Sequence, residues 1–532
     1  MSQPFPAFCD TSYQLTNRYA AVERTVNFTC TPNETKGAES KYSILLEPTP
    51  GTIPFNSLTG FYAPLPVAPP FNQRCRGLVY YRGLIYGVNG TTVFYIQGGF
   101  QFIGTVVDDG YAVTFATTGT NQIFIATQVS GNGYVINTDF LSFVDLSTNA
   151  QFLGSTCCTA QDGYVIVVTP GYPTLNQIQI SGNAGTPIGD CTIWDATRIS
   201  QQDGQADALI AVISSREYLR LLGTQRSQIF WNSGAPNFPF VSYNSTYIET
   251  GIYSGLSLAD MGDSLIWVGS DKRGMVSCWQ DFAFQPQQIS TFAIERFWSN
   301  YPLISIRSST AFAYTWNGHR KYQITFPKAI TPPVSGGNYL NATWEYDATA
   351  SKMLGKPVWT ELTYLRYDGV KTGLATRFHA FYVDFNVHLV GSDGSDGNPG
   401  AIYQLSDTSY TQCGADKNGF QINTPIIRER ICPHLYSTNK RIVYNRIELE
   451  VSRGVGNALG SQPLITLAIS RDGGNTYGPD YELPVGAIGQ WFQRVYLNRV
   501  GYARDLVLKV TYSDPSYMAL VNAYLDFFVA GS

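Results

Sequence analysis

Between Asp207 and Trp279 the chain sets two groups of short strands back to back, with turns between them and no helix-period segment. Residues 208–214 form a continuous apolar run, and 218–222 and 227–231 alternate or run apolar behind it. A polar, Pro-containing loop follows, Asn232-Ser233-Gly234-Ala235-Pro236-Asn237-Phe238-Pro239-Phe240, and the pattern restarts at 264–269 and 274–279. Strands this short, bounded by Gly, Asn, Asp and Pro, fold back on their neighbours, because a parallel unit needs a long crossover between its strands. The stretch therefore reads as antiparallel meanders. Meanders repeated at this length are the sequence signature of propeller blades.

The same grammar extends in both directions. Residues 77–81, 83–88 and 91–97 are apolar runs split by Asn89-Gly90, the strongest short-range hairpin signal. Asp109-Gly110-Tyr111-Ala112-Val113 resembles Asp162-Gly163-Tyr164-Val165-Ile166. Each is followed by an Asn-Gln-Ile strand, at Asn121 and at Asn176, which suggests a repeat with a period of about fifty residues. Residues 310–316 and 322–326 flank Asn317-Gly318, and 379–389 and 401–405 flank a Gly/Asp loop. The count is six or seven units over residues 75–410. One or two ordinary β-sandwiches would give a similar pattern.

Polar loops and the charged run Arg428-Glu429-Arg430 interrupt the rhythm over residues 407–434. Five further strands, at 445–452, 464–470, 491–498, 506–512 and 518–529, suggest a separate β-sandwich-like domain over residues 411–532. Residues 1–74 are rich in Pro, Thr and Asn, with a dense Pro run at 64–70. They read as an extended segment. The aromatic and apolar side chains Tyr42, Ile44, Leu45, Phe55, Phe61 and Tyr62 need a surface to bury against, and a neighbouring subunit is the expected one.

Charged residues are 14% of the chain against about 25% in an average soluble domain. Aromatics are also 14%, with 35 Tyr, and there are 50 Gly, the balance of an all-β protein rich in turns. A net charge of −4 leaves no overall basic footprint for gripping nucleic acid. It does not count against a wall that DNA slides past, which avoids phosphate contacts. No apolar run is long enough to span a membrane as a helix, and the start Met1-Ser2-Gln3-Pro4-Phe5-Pro6 lacks the features of a signal peptide. Nine Cys without a CxxC pair read as buried thiols in a reducing cytoplasm. On that reading the sequons at Asn27, Asn33, Asn89, Asn244 and Asn341 are chance.

Few motifs carry chemistry. Ser470-Arg471-Asp472-Gly473-Gly474-Asn475-Thr476-Tyr477 matches the Asp-box pattern, with Tyr477 in the usual Trp place. In that device the Asp472 side chain caps backbone N–H groups of the turn and the aromatic packs beneath. A single copy outside the repeats reads as a structural turn, not a glycosidase remnant. Asp393 and Asp396 sit in a Gly-rich loop without the terminal Glu of a calcium site, so a plain tight loop is expected. His319, His379, His388 and His434 are too scattered for a local metal or nucleophile motif. There is no GxSxG, P-loop or GxGxxG opening a helix. No catalytic, cofactor or metal residues are assigned. Arg428, Glu429 and Arg430 are the expected inter-domain or inter-subunit contact, because alternating charges stand out in so charge-poor a chain.

A resemblance rests on an ordered set of phrases over the last 320 or so residues. They are Ile229-Phe230-Trp231-Asn232-Ser233-Gly234 with Asn237-Phe238-Pro239-Phe240, and Ser264-Leu265-Ile266-Trp267-Val268-Gly269 with Asp271-Lys272-Arg273-Gly274. Ile402-Tyr403-Gln404-Leu405 with Tyr410-Thr411 follows, then Ile427-Arg428-Glu429-Arg430 with Pro433-His434. The end supplies Ser470-Arg471-Asp472-Gly473-Gly474, Gly501 with Ala503-Arg504-Asp505, and Ser513-Asp514-Pro515. Together they resemble the tail hub or nozzle proteins of short-tailed bacteriophages, also called packaged-DNA stabilisation proteins. The first 200 residues, including Cys157-Cys158, carry little of the resemblance.

The resemblance implies a structural virion-tail protein, not an enzyme, that needs no cofactor. It implies a propeller-bearing subunit in a homo-hexameric ring below the portal and adaptor rings, assembled in the host bacterial cytoplasm. The ring would continue the DNA channel, touch DNA without sequence-specific binding, and be closed by a plug or needle, with fibres or spikes docked outside. The alternative is a receptor- or carbohydrate-binding propeller of a phage fibre or cell surface. A glycoside hydrolase, resting on the lone Asp-box, is the weakest reading.

Overall fold

The computed structural model describes residues 3–5, 7–14, 23–32, 44–55, 73–170, 176–183, 189–202, 207–270, 274–331, 340–437, 440–456 and 461–530. The Pro run at 64–70, Tyr42, Phe61, Tyr62, Asn33 and the phrase Asp271-Lys272-Arg273 lie outside the described residues.

Seven four-stranded antiparallel units follow one another along the chain, six as separate sheets and the sixth in order as part of a larger sheet. The first is Cys75–Tyr81, Leu84–Asn89, Thr92–Ile96 and Phe100–Thr105. The sixth starts at Thr310–Trp316 and ends at Trp359–Leu362, and the seventh begins at Thr376–Tyr382. The first strands of neighbouring blades lie side by side, except that the fourth blade's meets Gly255–Ser257 just ahead of the fifth, and that of the seventh lies against that of the first, so the ring closes. These are the blades of a seven-bladed propeller.

Alternation along each strand explains where the core sits. The two faces of a blade bury separate apolar sets, each against a neighbouring blade. Leu389 and Ile402 of the seventh blade thus share a cluster with Ile85 and Phe94 of the first, while Val88 and Val93 face Ile123 and Ile136 of the second. Turn chemistry fixes the registers. Asn317 and Gly318 both take positive φ, 48° and 83°, as a two-residue hairpin requires, and Trp316 pairs His319 across them.

One expected relationship fails. Asp109-Gly110 precedes the innermost strand of the second blade, Val113–Thr117. Asp162-Gly163 instead makes the turn between the first two strands of the third, Cys157–Gln161 and Tyr164–Val168. The two phrases share turn chemistry at non-equivalent turns. They do not mark the blade repeat.

The described strands before residue 56 pair with this chain's own domains, where a neighbouring subunit is the expected surface. Gly51–Pro54 pairs with Ile402–Ser406 as the outermost strand of the seventh blade. Phe28–Pro32 and Ile44–Pro48 join Ile442–Val451, Val495–Ala503 and Leu520–Val529 in one sheet of the C-terminal sandwich. Arg24–Val26 joins the other, between Arg428–Ile431 and the outermost strand of the sixth blade. Blade and sandwich thus share one continuous ten-stranded sheet. Leu46, Ile447, Leu467, Leu508 and Leu520 fill the sandwich core, each fully buried and contributing about 1.5–3 kcal/mol.

Candidate functional site at the propeller–sandwich seam

The strand Arg428–Ile431 has Arg24–Val26 on one side and Asp505–Tyr512 on the other, both antiparallel. Alternation sends Arg428 and Arg430 to one face and Glu429 to the other. Arg430 is fully buried. Its guanidinium donates to the carbonyls of Phe8 (2.9 Å) and Ala7 (3.1 Å) and to the hydroxyls of Ser12 (2.6 Å) and Thr25 (2.9 Å). Glu23 lies 3.8 Å away, and burial raises its carboxyl pKa against the pull of Arg430. Glu429 stands between Lys371 at 3.5 Å and Lys509 at 3.4 Å.

Arg428 differs. It is fully buried, its nitrogens have no hydrogen-bond partner among the described residues, and the guanidinium lies 5.4 Å from the ring centre of Tyr410. Burial lowers its pKa to about 10, which leaves it charged at neutral pH. Cation–π attraction to Tyr410 is its stabilising contact.

The turn at Ser470, Asp472, Gly474, Thr476 and Tyr477 forms as its chemistry requires. Asp472 accepts from the Thr476 amide (2.9 Å) and hydroxyl (2.6 Å), and Ser470 donates to Asp472 while accepting from the Gly474 amide at 2.8 Å. Lys509 connects this turn to the charged strand. Its Nζ sits 5.6 Å over the Tyr477 ring as well as beside Glu429.

Three seam groups leave no local signature in the sequence. Asn27, at φ 56°, stands where the chain passes from one sandwich sheet to the other. Its amide donates to the Ile427 carbonyl at 2.7 Å and accepts from the Thr363 amide at 2.8 Å. Full burial makes it no glycan acceptor. Glu361 of the sixth blade takes Arg24 and Tyr13. Lys321, fully buried, donates to Glu345 at 2.7 Å and Thr29 at 2.8 Å, pinning an N-terminal strand to that blade.

The histidines serve structure. His319 pairs with Asp347 at 2.6 Å and His434 with Asp505 at 2.8 Å. His379 and His388 touch at 2.9 Å, and burial drives the pKa of His379 down to about 3, so that ring is neutral. Asp393 accepts from the Ser395 amide, and Asp396 accepts from Ser392 and Tyr403. Among the described residues no group of three or more His, Cys, Asp or Glu could hold a metal ion, and no helix is long and apolar enough to cross a membrane. Cys9 is half-buried and the other eight thiols are buried.

Solved structures match at low similarity. The WD40 repeats of RRP9 match with 7% identity and a TM-score of 0.36, covering 68% of this chain and 99% of that one. The N-terminal domain of Nup159 matches with 9% identity and a TM-score of 0.36, covering 73% and 99%. Curated proteins give no match. Family models separate at the seam. The one described as "Bacteriophage P22 Gp10, beta-propeller" matches residues 71–409, and "Bacteriophage P22 Gp10, beta-sandwich" matches residues 427–527. With both domains matched in order over most of its length, the chain belongs to the bacteriophage P22 Gp10 family of phage tail structural proteins.

Proposed function

We propose that this chain is the tail hub or nozzle subunit of a short-tailed phage, a homo-hexameric ring below the portal and adaptor that continues the DNA channel and helps retain packaged DNA until ejection. The family match across both domains is the observation that carries the reading. The shared sheet between the sixth blade and the sandwich supports it, since a retaining ring must resist internal load without its domains shearing. Low charge and abundant aromatics suit large permanent interfaces, and mildly acidic walls let DNA pass without sticking. The role needs no catalysis and no cofactor. Fibres or spikes dock outside and a plug or needle closes the channel. Assembly takes place in the host cytoplasm, where nine free thiols are stable.

Native mass spectrometry and two-dimensional electron-microscopy averages test this. The expected result is a six-fold ring with an open centre, formed alone or on mixing with adaptor rings. A stable monomer or trimer that ignores the adaptor would overturn it.

A further inference from the structure

A cleft of about 280 Å³ opens where the sixth blade, the N-terminal strands and the loop before Thr411 meet. That is close to the lower end of ligand pockets, at about 300 Å³. Three half-buried aromatic side chains line it, Trp316, Tyr410 and Tyr517. Beside them are polar groups that the fold leaves uncommitted. His319 commits Nδ1 to Asp347, leaving Nε2 without a partner among the described residues. The Asn317 amide and the Asp407 carboxylate, at exposed positions, also have no hydrogen-bond partner among the described residues.

Buried and half-buried polar groups in a seam built only for stability pair with one another. Here donors and acceptors converge on one space beside flat apolar faces. The charge balance narrows the ligand. Lys321 is neutralised by Glu345, and Glu47 and Asp407 outnumber the one unpaired cation nearby among the described residues, the buried Arg428 against Tyr410, so an anion is disfavoured. A neutral ring bearing many hydroxyls satisfies both donors and acceptors, and its C–H face packs on an aromatic ring. We propose that this cleft binds a neutral pyranose residue of a saccharide, a binding function separate from the channel role.

Ligand-observed NMR and calorimetry on the full chain test it, using neutral methyl hexosides with methyl glucuronide as the charged comparison. Neutral glycosides should bind saturably in the millimolar range and the glucuronide more weakly. Asn317→Gly keeps the hairpin turn while removing the amide, and Trp316→Ala removes an aromatic face. Each should weaken binding about tenfold or more, with the melting temperature of Asn317→Gly unchanged. Polysaccharide from the host surface, run beside the free glycosides, distinguishes a surface glycan, if it binds tighter, from a free sugar, if it does not. Either result supports the site. No neutral glycoside binding, preference for the glucuronide, or binding untouched by both substitutions would overturn it.

Discussion

Arg430 Nε donates to the carbonyl oxygen of Phe8 at 2.9 Å, joining positions 422 residues apart in the chain. Three more acceptors, on Ala7, Ser12 and Thr25, complete the set. Removing the guanidinium takes the donor from the Phe8 and Ala7 carbonyls and leaves the Ser12 and Thr25 hydroxyls only each other, at 2.7 Å, with a buried void beside them; each lost bond costs ~1 kcal/mol or more. Arg430→Ala is expected to destabilise the single chain by at least ~3 kcal/mol. Lysine should rescue little, because a point ammonium cannot reproduce the planar fork. Denaturant unfolding of the unassembled protein checks this. A weakened ring with unchanged unfolding of the free subunit would place the contact between subunits instead.

The strand Gly51–Pro54 closes the seventh blade, and Gly51 shows how tightly. A Cβ there would stand 2.2 Å from the Ser409 carbonyl oxygen and 2.5 Å from that of Thr411, both backbone atoms with no room to move. Cys413 anchors the neighbouring residue, its amide donating to Thr52 Oγ1 at 2.8 Å. Gly51→Val should therefore lift the strand and cost ~2 kcal/mol or more. Hydrogen exchange reads it directly. Amides of Ile53 and Gln404, paired across this edge, should lose protection, while those of the fourth blade keep it. Unchanged exchange at Gln404 would deny the strand its closing role.

Local patterns were readable wherever local chemistry decides structure. Asn317-Gly318 made the turn its φ requirements dictate, Asn89-Gly90 made a hairpin one residue on, with Gly90 at φ 52° and Asn89 paired to Thr92, and the apolar runs behind them became blades. Blade number remained open at six or seven because the last strand of the seventh blade comes from Gly51–Pro54, far away in sequence. The same non-locality hid the seam. Arg428-Glu429-Arg430 stood out by charge, but nothing nearby announced Phe8, Ser12 or Thr25 as the partners of Arg430. Repeated Asp-Gly phrases misled for the opposite reason, since one turn type serves at several places in a blade.

Asp472 in the Ser470–Tyr477 turn carries a pH signature. Hydrogen bonds from Ser470 and from the Thr476 side chain and amide hold its pKa down at about 2, below the ordinary ~3.9. A depressed carboxylate contributes above its unfolded pKa, and the contribution is lost as pH falls through the folded one. The exposed turn should therefore loosen between about pH 4 and about pH 2. Amide exchange at Thr476 and Gly474 should rise in that window, and Asp472→Asn should show the raised rate already at neutral pH. Equal rates in the variant and the parent would remove the carboxylate from the turn's stability.

Asp396 should behave in the opposite sense. Burial pushes its pKa up to about 6, although Ser392 (2.7 Å), the Asn398 amide (3.0 Å) and Tyr403 (2.9 Å) all donate to it. Between the unfolded value of about 4 and the folded one, the native chain holds a proton that the unfolded chain has released. Stability from this group is full below about pH 4 and is lost as pH rises through about 6, a difference of up to ~3 kcal/mol. Other carboxylates with depressed pKa values slope the other way, so the variant must be compared with the parent at each pH. Asparagine fits the same space and has no charge to bury, and the Tyr403 hydroxyl can turn to accept from its amide. Asp396→Asn is therefore expected to match or exceed the parent in stability at neutral pH and to lose ground relative to it on acidification towards about pH 4. Urea midpoints for both proteins across that range give the answer. If the two curves stay parallel, Asp396 is ionised in the native protein throughout and its neighbours offset the cost of burying the charge.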